Sequence, residues 1–136
     1  MKNKTLAGIF IALVAINSIA QSLNPDVTQA TIKQTICVAN WAAGIRPPTY
    51  YTSRLKAKQL KAANLVPASA YVEDHVVPLS VGGAPKDPLN LKPQLKAESL
   101  AKDRIEALVR RRVCSGRISL ATGQAVFFNG KWETYK

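Results

Sequence analysis

The chain has 136 residues, enough for one domain with a modest hydrophobic core. Its 19 lysines and arginines outnumber 8 acids, which gives a formal charge of +11. This charge favours a polyanion as partner, and nucleic acid, anionic lipid and cell-wall polymers all meet that description. No internal repeat or low-complexity tract is present, so a single domain is expected rather than a repeat architecture.

Residues 1–20 have the pattern of a secretory signal peptide. Two lysines precede an apolar run over residues 6–16, and Ser18 and Ala20 fit a cleavage site. The run is too short for a comfortable membrane span, which needs about 20 residues. We expect cleavage to leave a single domain, residues 21–136, with a formal charge of +9 and a periplasmic or secreted location. A buried N-terminal helix or an uncleaved anchor are the alternatives.

The chain contains two cysteines, Cys37 and Cys114. In an exported protein, two cysteines far apart in sequence predict a disulfide that closes a long loop. Two thiols without a CxxC spacing make a poor zinc site. Two unpaired buried thiols are the alternative.

The first half of the mature chain is predicted to be helical. Asn24 as N-cap and Pro25 at the first helical position predict a helix over residues 25–38. The Pro-Pro pair in residues 42–51 predicts an irregular connection. A second, basic helix is expected over residues 52–65, with its leucines inward and its cations either solvated or in contact with phosphate.

The second half is predicted to contain a hairpin and two further helices. Residues 70–77 are β-prone, residues 80–88 form a glycine-containing loop, and residues 89–92 are extended. A long helix is expected over residues 97–114. Its apolar positions predict one buried stripe of Leu100, Ala101, Ile105, Leu108, Val109 and Val113. A last helix begins at Ser119. The expected fold class is α+β, mostly helical.

The only histidine, His75, follows Asp74 directly. Hydrolysis of a phosphodiester needs a base for water, and histidine serves near neutral pH because its unperturbed pKa is about 6.5. A divalent cation held by carboxylates neutralises charge on the phosphate and stabilises the leaving oxygen. Asp74, His75 and an acid that opens the next helix could supply this set.

These residues belong to an ordered series: EDHVVPLSVGG, then NLKPQ, AKDRIE and VCSGRISL, with a late tryptophan and tyrosine. The series resembles the HNH endonucleases, most closely a small bacterial branch with DH-x-x-PL-x-x-GG, NL-x-PQ and KD-x-x-E motifs. The resemblance covers about residues 31–135. It implies a ββα-metal fold, a hairpin packed on a helix with one divalent cation between them, with a motif core at about residues 70–113.

The resemblance also implies roles for single residues. Asp74 is then a metal ligand, His75 the general base, and Asn90 the residue that holds the loop between the strands and helps to orient the histidine. The third signature residue, His or Asn on the helix, has no direct equivalent. Glu98 lies at roughly that place, with Ser99 and Asp103 as alternative ligands. The implied metal is Mg²⁺, with Mn²⁺, Ni²⁺ and Zn²⁺ as alternatives.

The pair of Asp74 and His75 raises a geometric requirement. Neighbouring side chains on a regular strand point to opposite faces, so both reach one metal only at a bulge or a strand end.

The expected function is therefore metal-dependent hydrolysis of phosphodiester bonds in nucleic acid, DNA ahead of RNA, with low sequence specificity. Candidate phosphate contacts, or simply solvated side chains, are Arg110, Arg111, Arg112 and Arg117. Two other functions stay open. One is an exported, non-catalytic nucleic-acid-binding protein that retains the HNH fold. The other is a cationic protein that binds the cell envelope, for which His75 would be irrelevant.

Overall fold

A computed structural model describes residues 22–136, and the predicted signal peptide lies outside these residues. Residues 25–40 form successive turns and bends, so the helix predicted over residues 25–38 is wrong. The Thr31 hydroxyl accepts a hydrogen bond from the backbone N–H of Thr28 and donates one to the carbonyl of Asp26. Such local side-chain bonds compete with the hydrogen bonds of a helix, which explains the outcome.

Two helices follow this segment. Helix α1 is a single turn, Trp41–Gly44, and helix α2 spans Thr49–Ala63. The second helix starts three residues earlier than predicted, directly after the Pro-Pro pair. It ends at Asn64, which adopts a left-handed φ of 54°. Asparagine tolerates this conformation and often ends a helix in this way.

Helix α2 is anchored on the sheet by polar side chains as well as by buried Leu60. The Lys56 ammonium donates to the carbonyl of Tyr71 over 3.1 Å, and the Gln59 amide donates to the carbonyl of Leu91 over 2.9 Å. These two carbonyls belong to different strands. The helix therefore holds both strands from one side.

The predicted hairpin is present. Strand β1, Tyr71–His75, pairs antiparallel with strand β2, Leu91–Leu95, and the register places His75 opposite Leu91. The connection contains two short 3₁₀ turns, Leu79–Val81 and Pro88–Asn90. His75 is thus the last residue of its strand, beside the connecting loop.

The predicted long helix is also present, as α3, Lys96–Cys114. Val109 and Val113 are buried as predicted, but Leu100 is 65% exposed and Lys102 is 1% exposed. The predicted apolar stripe is therefore wrong over the first turns of α3. There the inward face carries Lys102, because this part of α3 packs against the end of β1, where Asp74 supplies a partner for the ammonium.

The chain ends with helix α4, Leu120–Ala125, followed by a kinked 3₁₀ segment, Phe128–Thr134. Ser119 caps α4 as predicted, since its hydroxyl accepts from the Thr122 N–H over 3.1 Å. A Cβ placed on Gly123 would lie 2.6 Å from a methyl of Val113. Glycine at this position therefore allows α4 to approach α3 closely.

One hydrophobic core joins the early turns to the loop and the last two helices. It includes Ile36, Val77, Val81, Val109, Val113 and Phe127. The predicted disulfide between Cys37 and Cys114 is present and ties the early turns to the end of α3. The fold is α+β and about 52% helical, as expected. No helix within residues 22–136 has the length and apolar character needed to cross a membrane.

Candidate functional site

A polar cavity of about 300 Å³ opens beside the end of β1. It lies where the end of β1, the connecting loop, the segment between α1 and α2, and the inner face of α3 meet. Six charged or titratable side chains line it: Arg46, Glu73, Asp74, His75, Asp103 and Glu106. Asp74 and His75 are both among the residues that line this cavity, and His75 is the last residue of its strand.

The imidazole of His75 is held by the connecting loop. Its Nε2 lies 3.0 Å from the carbonyl oxygen of Pro85, and the residue is 4% exposed. A carbonyl oxygen only accepts, so Nε2 carries the hydrogen, and in the neutral ring Nδ1 keeps the free lone pair. Burial lowers the pKa of His75 below its usual value, against the opposing effects of the Pro85 bond and of Asp74. The lowered pKa favours the neutral ring, in which one nitrogen is able to accept a proton.

Asn90 holds the loop that carries Pro85. This residue is 0% exposed, and its side-chain oxygen accepts from the Val77 N–H over 2.8 Å. Its amide nitrogen donates to the carbonyls of Val77 and Ala84 over 3.0 and 2.9 Å. The two ends of the loop are thus joined through one side chain. This fixes the backbone immediately before the carbonyl that binds His75.

The glycine pair of the sequence motif lies in the same loop. Gly82 has a φ of +88°, a left-handed conformation that favours glycine. A Cβ on Gly83 would lie 1.8 Å from the carbonyl oxygen of Val77 and 2.8 Å from the Asn90 amide nitrogen. Glycine is therefore required at Gly83 for the loop to pack against Asn90.

The carboxylate of Asp74 is occupied by donors of the protein itself. Its Oδ1 accepts from the backbone N–H of His75 over 2.9 Å, and its Oδ2 accepts from the Lys102 ammonium over 2.9 Å. The same ammonium donates to the carbonyl of His75 and lies 3.8 Å from Oε1 of Glu106. Lys102 thereby joins the middle of α3 to the end of β1.

Two acids of the cavity have strongly raised pKa values. Burial raises the pKa of Glu73 to about 7, although Lys56 lowers it, and Asp74 raises it further. Both carboxylate oxygens of Glu73 are buried and accept no hydrogen bond from the described residues. Burial likewise raises the pKa of Glu106 to about 7, although Lys102 lowers it. At neutral pH both acids are partly protonated, so the cavity is less negative than its composition indicates.

Glu98, the predicted helix ligand, is not among the residues that line the cavity. It lies exposed in the first turn of α3, whereas the alternatives Ser99 and Asp103 do line the cavity. In residues 22–136, no group of three or more His, Cys, Asp or Glu side chains is placed to hold a metal ion. Mg²⁺ requires a near-octahedral set of oxygen ligands, and Asp74 offers two oxygens that already accept hydrogen bonds. The donors present therefore do not fit the divalent cation that the resemblance implies.

The four predicted arginines divide into two pairs. Arg110 donates to the carbonyls of Ile36 and Val38, and Arg112 donates to the Tyr135 hydroxyl and the carbonyl of Lys136. Arg111 and Arg117 are exposed and line a shallow surface hollow beside Arg112. The first pair forms hydrogen bonds within the fold, and the second pair is exposed and can contact a polyanion.

Three charged residues that line the cavity were not predicted from the sequence as site residues: Arg46, Glu73 and Glu106. Lys102, the ion-pair partner of Asp74, was not predicted either. Glu73 carried a usable signal, because it precedes His75 by two residues and therefore shares its face of the strand. The inward position of Lys102 was hidden by the apolar periodicity of its helix. Arg46 lies in an irregular segment, where no periodicity predicts the direction of a side chain.

Comparison of this chain with protein-family models, with curated proteins and with solved structures finds no match.

Proposed function

We propose that this chain is an exported HNH-type nuclease that hydrolyses phosphodiester bonds of nucleic acid, DNA ahead of RNA, with low sequence specificity. The observation that carries the proposal is the position of His75. Its imidazole lines a polar cavity, and its Nε2 is bound by Pro85 in a loop that Asn90 holds. Such an arrangement orients a base. The order β1, β2, α3, with the helix following the hairpin at once, supports a ββα core.

The first step we propose is activation of water by His75. The lone pair on Nδ1 accepts a proton as the water oxygen attacks phosphorus. The lowered pKa of His75 favours the neutral ring that this step requires.

The second step concerns the leaving group. As the bond from phosphorus to the sugar oxygen breaks, that oxygen takes a proton from the carboxyl group of Glu73. The carboxyl lines the same cavity, and its pKa of about 7 leaves it partly protonated at neutral pH. Burial with no hydrogen-bond partner in the described chain raises the pKa of a carboxyl group in this way.

Charge on the phosphate is met by Arg46 in this proposal. The guanidinium lines the cavity and is exposed, so it is open to a substrate. Its planar set of donors matches the oxygens of a phosphate. No step uses a metal, since the donors of the cavity do not fit one.

Export is supported by the leader pattern of residues 1–20 and by the disulfide, since disulfides persist in oxidising compartments. We therefore expect the nuclease activity in the periplasm or in the culture medium. Fractionation of producing cells tests it.

A non-catalytic nucleic-acid-binding protein is the second candidate. The observation that favours it is the ion pair of Lys102 with Asp74, because a carboxylate held in this way serves the fold without any chemistry.

Nicking of supercoiled plasmid separates the two candidates. Wild type is compared with His75→Gln, whose amide keeps a donor for Pro85 but has no basic nitrogen, and with His75→Ala. A general base contributes about 100- to 10,000-fold, so both variants should lose at least about 100-fold in rate. Lys131→Ala, an exposed change purified in parallel, controls for contaminating nucleases. Equal nicking by wild type and both histidine variants, or none by any of them, would refute catalysis by His75, and binding of the plasmid by the same samples would then favour the second candidate.

A further inference from the structure

A buried cation of α3, the ammonium of Lys102, contacts the end of β1. The ammonium of Lys102 is enclosed by three acceptors: Oδ2 of Asp74 at 2.9 Å, the carbonyl oxygen of His75, and Oε1 of Glu106 at 3.8 Å. An ammonium group has three donors and no acceptor; two of them donate hydrogen bonds, to Asp74 and to the carbonyl of His75, and Glu106 is an ion-pair partner beyond hydrogen-bond distance. The residue is 1% exposed, and a charge buried to this extent requires partners.

The ammonium of Lys102 lies between the hairpin and the helix. The resemblance places a divalent metal between the hairpin and the helix, with Asp74 as one ligand. Here the space between the end of β1 and the middle of α3 contains the Lys102 ammonium, which binds the same carboxylate. A divalent cation bound to Asp74 would meet a positive charge already in contact with that acid, and like charges at such distances repel strongly.

We infer that the Lys102 ammonium is the resident cation of this site and takes the place of the divalent metal. It neutralises Asp74, forms an ion pair with Glu106 and binds the carbonyl oxygen of His75. It thus holds the strand and the helix together as a bound metal ion would. Lys102 is a positioning residue, since its ammonium donates hydrogen bonds to Asp74 and to the carbonyl of His75 and forms an ion pair with Glu106. The inference rests on the proposed function only in naming the site, because the occupancy of the site is measured without any reaction.

Replacing Lys102 by a neutral residue should change the metal binding of the site. Lys102→Met keeps most of the apolar length of the side chain and removes the charge. It leaves two carboxylates and a carbonyl oxygen facing one another without a cation, and these are the hard oxygen ligands that Mn²⁺ and Mg²⁺ bind. The variant should therefore gain a metal site that the wild type lacks.

Mn²⁺ titration followed by electron paramagnetic resonance, in which bound Mn²⁺ loses the signal of the free ion, tests the inference. The wild-type protein should leave the signal unchanged up to millimolar Mn²⁺, and its Tm should not respond to Mn²⁺ or EDTA. Lys102→Met should have a lower Tm, bind about one Mn²⁺ and regain stability as Mn²⁺ is added. Lys96→Met, an exposed change at the start of the same helix, should behave as wild type.

The inference is overturned if the wild type binds Mn²⁺ and either Asp74→Asn or Glu98→Gln abolishes that binding, or if folded Lys102→Met gains none. Should Lys102→Met fail to fold, the wild-type and Asp74→Asn titrations decide alone. Absence of nicking together with absence of Mn²⁺ binding would overturn the proposed function and leave the inference standing.

Discussion

The ammonium of Lys102 and the carboxylate of Asp74, 2.9 Å apart, join the middle of α3 to the end of β1. Removing one partner of a buried ion pair leaves an uncompensated charge, at a cost of about 3–5 kcal/mol. The pair therefore has to form whenever the strand and the helix pack. Its presence explains why a basic residue lies on the inward face of α3.

The first prediction concerns this ion pair. Asp74→Ala and Lys102→Met should each lower the free energy of unfolding by about 3–5 kcal/mol. The double variant should cost clearly less than the sum of the two, because it buries no unpaired charge. Urea denaturation of the four proteins measures the coupling. Additive effects would mean that the two side chains do not interact in solution.

The second prediction concerns the pH dependence of cleavage. His75 must be neutral, and its pKa is lowered from 6.5, so the acid limb should lie below pH 6.5. Glu73 must be protonated, and its pKa is about 7, so the rate should fall as the pH rises through about 7. The profile should be a narrow bell. Initial rates of plasmid nicking from pH 5 to pH 9 test it.

Glu73→Gln separates the two limbs. This variant cannot donate a carboxyl proton, so the rate should drop at low pH and the basic limb should disappear. A basic limb retained by Glu73→Gln would assign it to another group.

The third prediction concerns Asn90. Asn90→Ala removes three buried hydrogen bonds and leaves the Val77 N–H without a partner, so it should destabilise the protein by about 3 kcal/mol. It should also reduce the rate of cleavage, because the Pro85 carbonyl that orients His75 lies in the released loop. Asn90→Asp keeps the acceptor for Val77 but sets a buried carboxylate oxygen against the carbonyls of Val77 and Ala84, so it should be no more stable than Asn90→Ala. Thermal unfolding and nicking rates, measured on the same samples, test both parts.

The fourth prediction concerns the disulfide. Cys37 and Cys114 are 77 residues apart, and their bond should contribute about 2–4 kcal/mol by restricting the unfolded chain. The double variant Cys37→Ser, Cys114→Ser should unfold at a correspondingly lower urea concentration, as should reduced wild type. Titration of the unfolded, unreduced protein should find no free thiol. Two reactive thiols per chain would refute the bond.

The fifth prediction concerns the arginines. Nucleic-acid binding should weaken steeply with salt and depend little on sequence, because it rests on phosphate contacts. Arg111→Ala and Arg117→Ala should each weaken binding and reduce the salt slope by about 1. Arg110→Ala and Arg112→Ala should chiefly reduce stability, since these side chains bind carbonyls and a hydroxyl of the fold. Affinities for unrelated duplexes across a salt series, with Tm for each variant, distinguish the pairs.

The sequence by itself determined the elements whose signals are local. The hairpin, the long helix and the Ser119 cap follow from strand-forming residues, helical periodicity and capping chemistry. The disulfide followed from the presence of two cysteines in a chain with a predicted leader. Local sequence signals predicted a helix over residues 25–38, and this prediction was wrong. There the hydroxyl of Thr31 competes with a helix for backbone hydrogen-bond partners.

Only the tertiary structure decided the composition of the candidate site. It turned Lys102 inward against the apolar periodicity of α3, left Glu98 exposed and brought Arg46 from an irregular segment to the same cavity. The physical reason is that the burial of a charge depends on a partner distant in sequence. Lys102 is buried because Asp74, 28 positions earlier, lies across the interface between strand and helix. No periodicity within α3 contains that information.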